Sequence, residues 1–341
     1  MKSPKCAPTN TKRTRCRGQA CQLECGHSQQ ASTSSKAPIA DIDVGLYLSH
    51  ILHRYPSEMR QPRGQEVSGR LPTFLIIGAQ RSGTTTLARR LGEHPQVFMA
   101  LRKELEYFDQ HYQRGLEWYS SFFATAGEEI QFGEASPSYL FEPIAIRRIA
   151  DVLPDVRLLV TLRNPVDRAY SHYWHNRARK KETLTFAEAL EAEIARTTSD
   201  DVSHFRFSYA SRGYYAEQLD EVLRHFPRSA LHVEIAEETN ASPVEALARI
   251  YRFLEVDPEF IPKTIDRRFN AHAEFRSVRL WEKSNALPRT LAKLIKRVNR
   301  KTNQQYPAMD QETRTRLETM YQESNQRLAA FLGRSHIWPN S

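Results

Sequence analysis

The amino-acid sequence predicts an α/β fold in three layers, with helices on both faces of a central, mainly parallel sheet. From Leu71 onward, short apolar runs alternate with amphipathic segments, which is the order of strand-helix-strand units. The first run, Phe74 to Ile77, has no polar interruption, as expected of a strand that is buried on both faces. A glycine-bracketed loop and a helix-compatible segment follow it directly.

The loop after this first strand has the composition of an anion site. Gly78 and Gly83 enclose four residues, and glycine lets the main chain turn its amide groups toward an anion. Thr84 and Thr85 then begin a predicted helix, whose N-terminal end carries a positive partial charge. Because a phosphate or sulfate group binds favourably in such a place, the predicted α/β/α fold is P-loop-like.

The loop departs from the Walker A pattern, G-x-x-x-x-G-K-[ST], in one position. Thr84 stands where that pattern has its lysine, and the cation of the loop is Arg81. An ATPase or kinase also needs a carboxylate on a neighbouring strand to hold magnesium, whereas the next strongly apolar run, Val156 to Leu162, ends in Arg163. A P-loop nucleotide-binding kinase or regulator is therefore the alternative function and not the favoured one.

Arg163 begins a second predicted anion site. Asn164 is a natural N-cap and Pro165 suits the first helical position, so Arg163 lies at a strand-to-helix corner. Ligands of open parallel sheets bind at such corners, outside the carboxyl ends of the strands. Ser171 falls two turns into the helix on the face of Asn164, and we expect its hydroxyl to reach the same anion.

A cation and a carboxylate stand side by side at Lys103 and Glu104, after the short apolar run Val97 to Met99. Such a pair has the chemistry to stabilise a leaving group and to accept a proton. Taken alone, neighbouring Lys and Glu are more often a hydrated surface. The pair is a candidate for catalysis only because the sequence also predicts two anion sites.

Composition divides the chain of 341 residues into three parts. The net charge is +9, but residues 1–40 hold seven Lys or Arg and one acidic residue, so they supply +6 and the remainder only +3. All four cysteines also lie in this tail, which we predict to be disordered. Residues 41–70 are predicted to form a lead-in helix and a linker, and residues 71–338 the main domain.

The same composition argues against several classes of protein. The cysteine spacing matches no standard zinc pattern, and His172 with His175 lacks accompanying carboxylates, so no metal is assigned. Nucleic-acid binding rests on the charge of the tail alone. The sequence has no run of the ~20 apolar residues that span a bilayer and no secretory signal, so we predict a cytoplasmic protein, although an Arg-rich tail is also the composition of a transit sequence. The oligomeric state stays open.

Four segments occur in an order that resembles the sulfotransferases that use 3'-phosphoadenylyl sulfate (PAPS), above all their heparan sulfate and bacterial branch. They are QRSGTTTL, KELEYFD, GEASPSYLF and RNPVDRAYSHY. The resemblance runs from Leu71 to Trp338. It implies an enzyme of the EC 2.8.2 type that transfers a sulfonate group from PAPS, its co-substrate, to a hydroxyl or amine acceptor. A carbohydrate such as an acidic glycan is the favoured acceptor, while a lipid, a peptide tyrosine and a small phenol are also compatible with the donor half of the site.

The resemblance also implies which residues bind the donor. Those that match the loop around the 5'-phosphosulfate are Arg81, Ser82, Gly83, Thr84 and Thr85. Arg81 stands where the heparan enzymes carry a catalytic lysine. Arg163 and Ser171 match the contacts to the 3'-phosphate.

Catalytic and acceptor roles follow from the same resemblance. Glu104 matches the general base, and Lys103 stands beside it. Glu134 and Ser136 match an acceptor-facing segment, and Tyr214, in the matching segment RGYYAEQL, is also predicted to contact the acceptor.

Two departures from the heparan pattern affect the predicted site. Ala135 replaces a lysine of the acceptor-facing segment. The late loop that closes over the nucleotide in the family aligns with residues 302–307, including Tyr306, but its cations are missing, so Lys301 or Arg300 is expected to substitute. A basic amphipathic segment, residues 289–301, precedes this loop. It is either a hydrated helix face or a docking surface for an acidic glycan or an anionic membrane.

Overall fold

The computed structural model describes residues 69–267 and 307–338, together with residues 274–275, 280, 291–292, 294–295, 298 and 300–301. The chain divides into two units, Met1–Ile39 and Ala40–Ser341, and all described residues belong to the second. The tail of residues 1–40 and nearly all of the predicted lead-in segment lie outside the described residues. Their predicted disorder and helix therefore stay predictions.

A five-stranded, fully parallel sheet forms the centre of the described domain. Its strands are β1 (Phe74–Gly78), β2 (Val97–Met99), β3 (Gln131–Ala135), β4 (Arg157–Leu162) and β5 (Leu231–Ile235). Their spatial order is β2-β3-β1-β4-β5. All five residues of β1 are buried, which confirms the sequence prediction for this strand. A separate antiparallel pair joins β6 (Glu274–Phe275) to β7 (Arg300–Lys301).

Helices connect the strands. The described helices are α1 (Thr84–Leu91), α2 (Gly115–Ser120), α3 (Pro143–Val152), α4 (Pro165–Ala178), α5 (Phe186–Glu191), α6 (Glu193–Thr197), α7 (Asp201–Phe207), α8 (Tyr215–His225), α9 (Ala236–Ala241), α10 (Pro243–Leu254) and α11 (Gln311–Phe331). No helix in the described part of the chain is long and apolar enough to cross a membrane.

The side chains of β1 alternate between two apolar clusters, one on each face of the sheet. Leu75 and Ile77 belong to the front cluster, to which α3, α8 and the end of α11 also contribute. Phe74 and Ile76 belong to the back cluster, with residues from α1 and α10. Because apolar residues of helices cover both faces, the predicted three-layer α/β/α fold is confirmed.

A third group of buried residues, the side cluster, packs α4 against α5 and the segment after α7. It includes Tyr170 and Tyr173 of α4 and Phe186 of α5. The last helix, α11, joins two of the groups, since Leu317 and Tyr321 lie in the side cluster and Leu328 lies in the front cluster.

The start of α4 is as the sequence predicts. Asn164 is the N-cap, and its side-chain oxygen accepts hydrogen bonds from the amides of Val166 (3.0 Å) and Asp167 (3.3 Å). Pro165 occupies the first helical position. Since β4 ends at Leu162, this cap fixes the turn that carries Arg163.

Candidate active site

The loop between β1 and α1 has the geometry of an anion site. Gly83 precedes α1 with φ of 95°, and nothing lies within 4 Å of where its Cβ would be, so the backbone conformation and not crowding calls for glycine. No side chain caps α1 at Gly83. The amide groups of the first turn therefore point from a positive helix end toward the space where an anion would bind.

Arg81 connects this loop to α4. Its Nε donates a hydrogen bond to Ser171 Oγ at 3.3 Å, and one terminal nitrogen lies 3.2 Å from His175 Nδ1. A guanidinium group can only donate, so Nδ1 of His175 is the acceptor in this contact. The structure thus brings together Arg81 and Ser171, which are 90 residues apart in the chain.

Lys103 connects the same loop to the predicted base. Its Nζ donates to Thr85 Oγ1 at 2.6 Å and lies 3.0 Å from Glu104 Oε1. The Glu104 side chain is 50% exposed, so its carboxylate remains open to a reactant. Lys103 and Glu104 therefore lie at the start of α1, directly after the loop that carries Arg81.

Arg163 follows the last residue of β4, the strand that pairs with β1 in parallel. The two strands therefore end at the same edge of the sheet, which places Arg163 at the edge that carries the Arg81 loop. The Arg163 side chain is half-buried, and its main-chain oxygen accepts a hydrogen bond of 2.9 Å from the Tyr215 hydroxyl. Burial raises the pKa of Tyr215 to about 12, so this hydroxyl stays protonated and donates.

A polar cavity of about 470 Å³ adjoins the loop. Gln80, next to Arg81, lines it, and so does His175, which accepts from Arg81. The wall contains both acidic and basic side chains. The acidic residues are Glu106, Asp109 and Asp201, and the basic ones include Arg179, Lys181 and Arg206.

Two of the cavity carboxyl groups and one imidazole are electrostatically perturbed. Burial, with the nearby Asp109 charge, raises the pKa of Glu106 to about 7. Burial also raises the pKa of Asp109 to about 7, while the hydrogen bond of 2.8 Å that its Oδ1 accepts from the amide of Gln110 opposes the shift. Burial and the neighbouring Arg168 charge lower the pKa of His172, so its ring is neutral. The cavity thus holds groups whose charge changes near neutral pH.

The residues predicted to face the acceptor are more buried than Glu104. Glu134 and Ser136 are 1% and 0% exposed, and Glu134 accepts hydrogen bonds from Ser136, Tyr139 and Tyr119. Tyr214 is 6% exposed and belongs to the side cluster. Their contact with an acceptor stays a prediction.

The late loop cannot be compared with its prediction. Tyr306 lies outside the described residues, as do residues 302–305. For Lys301 only the main chain is described, in β7, where it pairs with Glu274. Its role at the nucleotide stays a prediction.

The sequence does not predict that His175, Glu106 and Asp109 lie at the site. His175 was considered only as half of a metal pair, although it lies four residues after Ser171 and therefore on the same helix face. Glu106 and Asp109 stand in the same segment as Glu104, but nothing in the sequence marks them as buried. Among residues 69–267 and 307–338, no group of three His, Cys, Asp or Glu side chains is arranged to hold a metal ion.

Comparison with known protein families agrees with this geometry. The family model described as the sulfotransferase domain matches residues 71–331. The chain belongs to the sulfotransferase family. This match covers the anion loop, the Lys103 and Glu104 pair, the Arg163 corner and the whole of α11, so the resemblance stated from the motifs is confirmed.

Individual relatives show how similar the chain is to particular sulfotransferases. The chain is 29% identical over 282 residues to the human bifunctional heparan sulfate N-deacetylase/N-sulfotransferase 2, and 29% identical over 279 residues to the corresponding enzyme 1 of Caenorhabditis briggsae. These alignments cover 79% and 78% of this chain but only 30% and 31% of the relatives. The chain thus spans less than a third of the length of these relatives.

One solved structure is similar over nearly its whole length. The sulfotransferase from Alicyclobacillus acidocaldarius has a TM-score of 0.61 and 27% sequence identity, with 78% of this chain and 97% of that chain covered.

Proposed function

We propose that the enzyme transfers the sulfonate group of PAPS to a hydroxyl or amine of a carbohydrate acceptor. The observation that carries the proposal is that two separate segments, α4 and residues 103–104, bond the loop between β1 and α1. Arg81 bonds Ser171, and Lys103 bonds Thr85 while contacting Glu104. Two cations, the start of a helix and an exposed carboxylate thus lie on or beside one loop.

The two anion sites suit the two ends of the PAPS molecule. Arg81, Lys103 and the first turn of α1 offer donors to a phosphosulfate group. Arg163 lies at the end of the neighbouring strand, where it would bind the 3'-phosphate together with Ser171, whose hydroxyl accepts a hydrogen bond from Arg81. Half-buried cations favour such anions more than fully hydrated ones do, because the local dielectric is lower.

The reaction is an in-line transfer between two oxygen atoms, or between an oxygen and a nitrogen. Glu104 accepts the proton of the acceptor hydroxyl or amine while the acceptor atom forms its bond to sulfur. The bond from sulfur to the 5'-phosphate oxygen breaks, and its electron pair stays on that oxygen. Arg81 and Lys103 stabilise the negative charge that develops there, and adenosine 3',5'-bisphosphate is released.

A carbohydrate acceptor fits the cavity beside Glu104. Its wall consists largely of charged and amide groups, which match the hydroxyl groups of a sugar. The basic residues Arg179, Lys181 and Arg206 would pair with carboxylate or sulfate groups of an acidic glycan. The heparan sulfate relatives support the same class of acceptor.

The decisive experiment is a transfer assay with radiolabelled PAPS and a panel of neutral glycans, acidic glycans, phenols and peptides. The expected result is labelled acidic glycan together with adenosine 3',5'-bisphosphate. A parallel binding comparison of adenosine 3',5'-bisphosphate with ATP-Mg is expected to favour the former. Preferential binding of ATP-Mg, without transfer to any acceptor, would contradict the proposal and favour the kinase alternative.

A further inference from the structure

The segment that carries Glu104 is neither a helix nor a strand, yet its backbone is tightly defined. Residues 104–106 have no regular secondary structure, and the φ angles of Glu104 and Glu106 are 59° and 51°. Side chains other than glycine rarely occupy this left-handed region. Such a conformation persists only where the surroundings fix it.

Main-chain groups of this segment, residues 104–108, are bound by the end of β3 and the turn that follows it. The amide of Glu104 donates to Ala135 O at 3.0 Å. The amide of Glu106 donates to Ser136 Oγ at 3.0 Å. The amides of Tyr107 and Phe108 both point at the Tyr139 hydroxyl, at 2.9 Å and 3.4 Å.

The two hydroxyl groups that receive these amides both donate to Glu134. Ser136 Oγ lies 2.8 Å from Glu134 Oε2, and the Tyr139 hydroxyl lies 2.8 Å from Glu134 Oε1. Each hydroxyl has one proton and two lone pairs. A carboxylate that takes the proton leaves the lone pairs of the hydroxyl facing the amides of the segment.

Glu134 is held rigidly in the sheet. It is the fourth residue of β3, in register with Leu75 of β1, and it is 1% exposed. Burial raises its pKa to about 7, while the hydrogen bonds from Tyr139 and Ser136 oppose the shift.

We infer that Glu134 is a positioning residue, which directs the hydroxyl groups of Ser136 and Tyr139 toward itself and so fixes the segment that carries the base Glu104. This inference rests on the proposed function and extends it. The resemblance to the family predicts that Glu134 and Ser136 face the acceptor. In the hydrogen-bond network, both residues instead help to hold the main chain of residues 104–108 in place.

The chain offers a matched pair of variants for the test. Tyr119 and Tyr139 both donate to Glu134 Oε1, at 3.3 Å and 2.8 Å, and both are fully buried. The Tyr139 hydroxyl also receives two amides of the segment, whereas Tyr119 contacts it through its ring, stacked on Tyr107 at 4.5 Å. Tyr139→Phe and Tyr119→Phe therefore remove the same chemical group. Only Tyr139→Phe removes the oxygen that accepts hydrogen bonds from the amides of Tyr107 and Phe108.

The expected result is a selective loss of turnover. Tyr139→Phe should lower kcat roughly tenfold or more, since small displacements of a catalytic group cost this much, and leave binding of adenosine 3',5'-bisphosphate unchanged. Tyr119→Phe should change kcat less than about threefold, since the segment keeps its acceptors. Equal effects of the two variants, or no effect of either, would overturn the inference and leave Glu134 as a stabilising core residue.

Glu134→Gln tests the direction of the hydrogen bonds. Its amide nitrogen must face either Ser136 or the tyrosines, so at least one hydroxyl meets a donor where it met an acceptor. We expect kcat to fall as in Tyr139→Phe, with the KM for PAPS unchanged. A Glu134→Gln enzyme with normal kcat would also overturn the inference.

Amide hydrogen exchange separates this inference from the proposed function. The amides of Glu106, Tyr107 and Phe108 should exchange faster in Tyr139→Phe than in Tyr119→Phe, and this readout needs no substrate. An inactive wild-type enzyme with this exchange pattern would contradict only the proposed function. An active enzyme without the pattern would contradict only the role of Glu134.

Discussion

The donor side and the acceptor side of the site are built in different ways. The donor side consists of short stretches at the ends of β1 and β4, namely the loop of residues 78–85 and the corner that begins at Arg163. The proposed acceptor side is a cavity whose walls come from separate segments, including residues 106–110, the second half of α4, and α7.

This difference explains which half can be deduced from sequence. An anion site at a strand end needs a glycine, a helix start and one cation within a few residues, so its pattern is local. A cavity needs distant segments to pack, and its specificity depends on burial and charge that only the fold creates. The donor chemistry is therefore fixed by motifs, and the acceptor chemistry by tertiary structure.

Glu104→Gln gives the largest expected effect, because Glu104 is the proposed general base. Loss of a general base should lower kcat by about 10² to 10⁴, while adenosine 3',5'-bisphosphate binds as before. Glu191→Gln, at an exposed position of α5, is the control. Most of the activity remaining in Glu104→Gln would place the base elsewhere.

Arg163→Ala should weaken binding of the donor without affecting the acceptor. It should weaken PAPS binding by about 1.5 to 3 kcal/mol and remove discrimination against the analogue without the 3'-phosphate, as measured by calorimetry. Arg157→Ala is a matched control, because Arg157 is the first residue of the same strand, at its opposite end, where it pairs with Glu255. Similar losses in both variants would show that Arg163 acts through the stability of β4.

Asp109→Asn tests whether a buried acidic side chain of the cavity makes stability depend on pH. The pKa of Asp109 is raised in the folded protein, so its stabilising contribution is fully present below its ordinary pKa near 3.8 and is lost as the pH rises through about 7. The variant has no such proton to lose. Its free energy of unfolding relative to wild type should therefore rise by about 1 kcal/mol or more between about pH 5 and about pH 8, as measured with urea.

Nearby acids titrate in the same range and remain in both proteins. Glu106 and Glu134 also have pKa values raised to about 7, so only the difference between wild type and Asp109→Asn isolates Asp109. Asp155→Asn, at an exposed position, should show no such rise. A difference that does not change with pH would contradict the prediction.

Arg206→Ala should have the smallest effect. Arg206 is half-buried in the cavity wall, and losing one partly exposed ion pair should raise the KM for an acidic glycan about two- to fivefold, more at low salt than at high salt. The KM for a neutral acceptor should not change. Arg224→Ala, on an arginine that is 64% exposed and paired with Glu221, is the control. An equal rise for neutral acceptors would assign Arg206 to packing.

Much of the fold and of the donor side follows from the sequence alone. The uninterrupted apolar run of β1 predicts a central parallel strand, and Asn164 with Pro165 predicts the start of α4. The motifs assign Arg81 and Ser171 to opposite ends of the donor, and the structure joins the two side chains by a hydrogen bond that the motifs do not predict.

The acceptor side could not be predicted in the same way. Glu106 and Glu134 look in the sequence like any other acids, and only the packed structure shows that burial raises the pKa of both to about 7. Family resemblance assigns Glu134 to the acceptor, whereas its hydrogen bonds go to Tyr119, Ser136 and Tyr139. A motif conveys residue identity but not which of two neighbours the side chain reaches.

The last helix has a consequence for how the domain comes apart. Because α11 contributes Leu317 and Tyr321 to the side cluster and Leu328 to the front cluster, neither group can lose its packing while the other stays intact. Heat or denaturant should then melt the regions around both groups in one cooperative transition. Shortened versions of the protein that end before Gln311 would lack the brace between them and should be prone to aggregation.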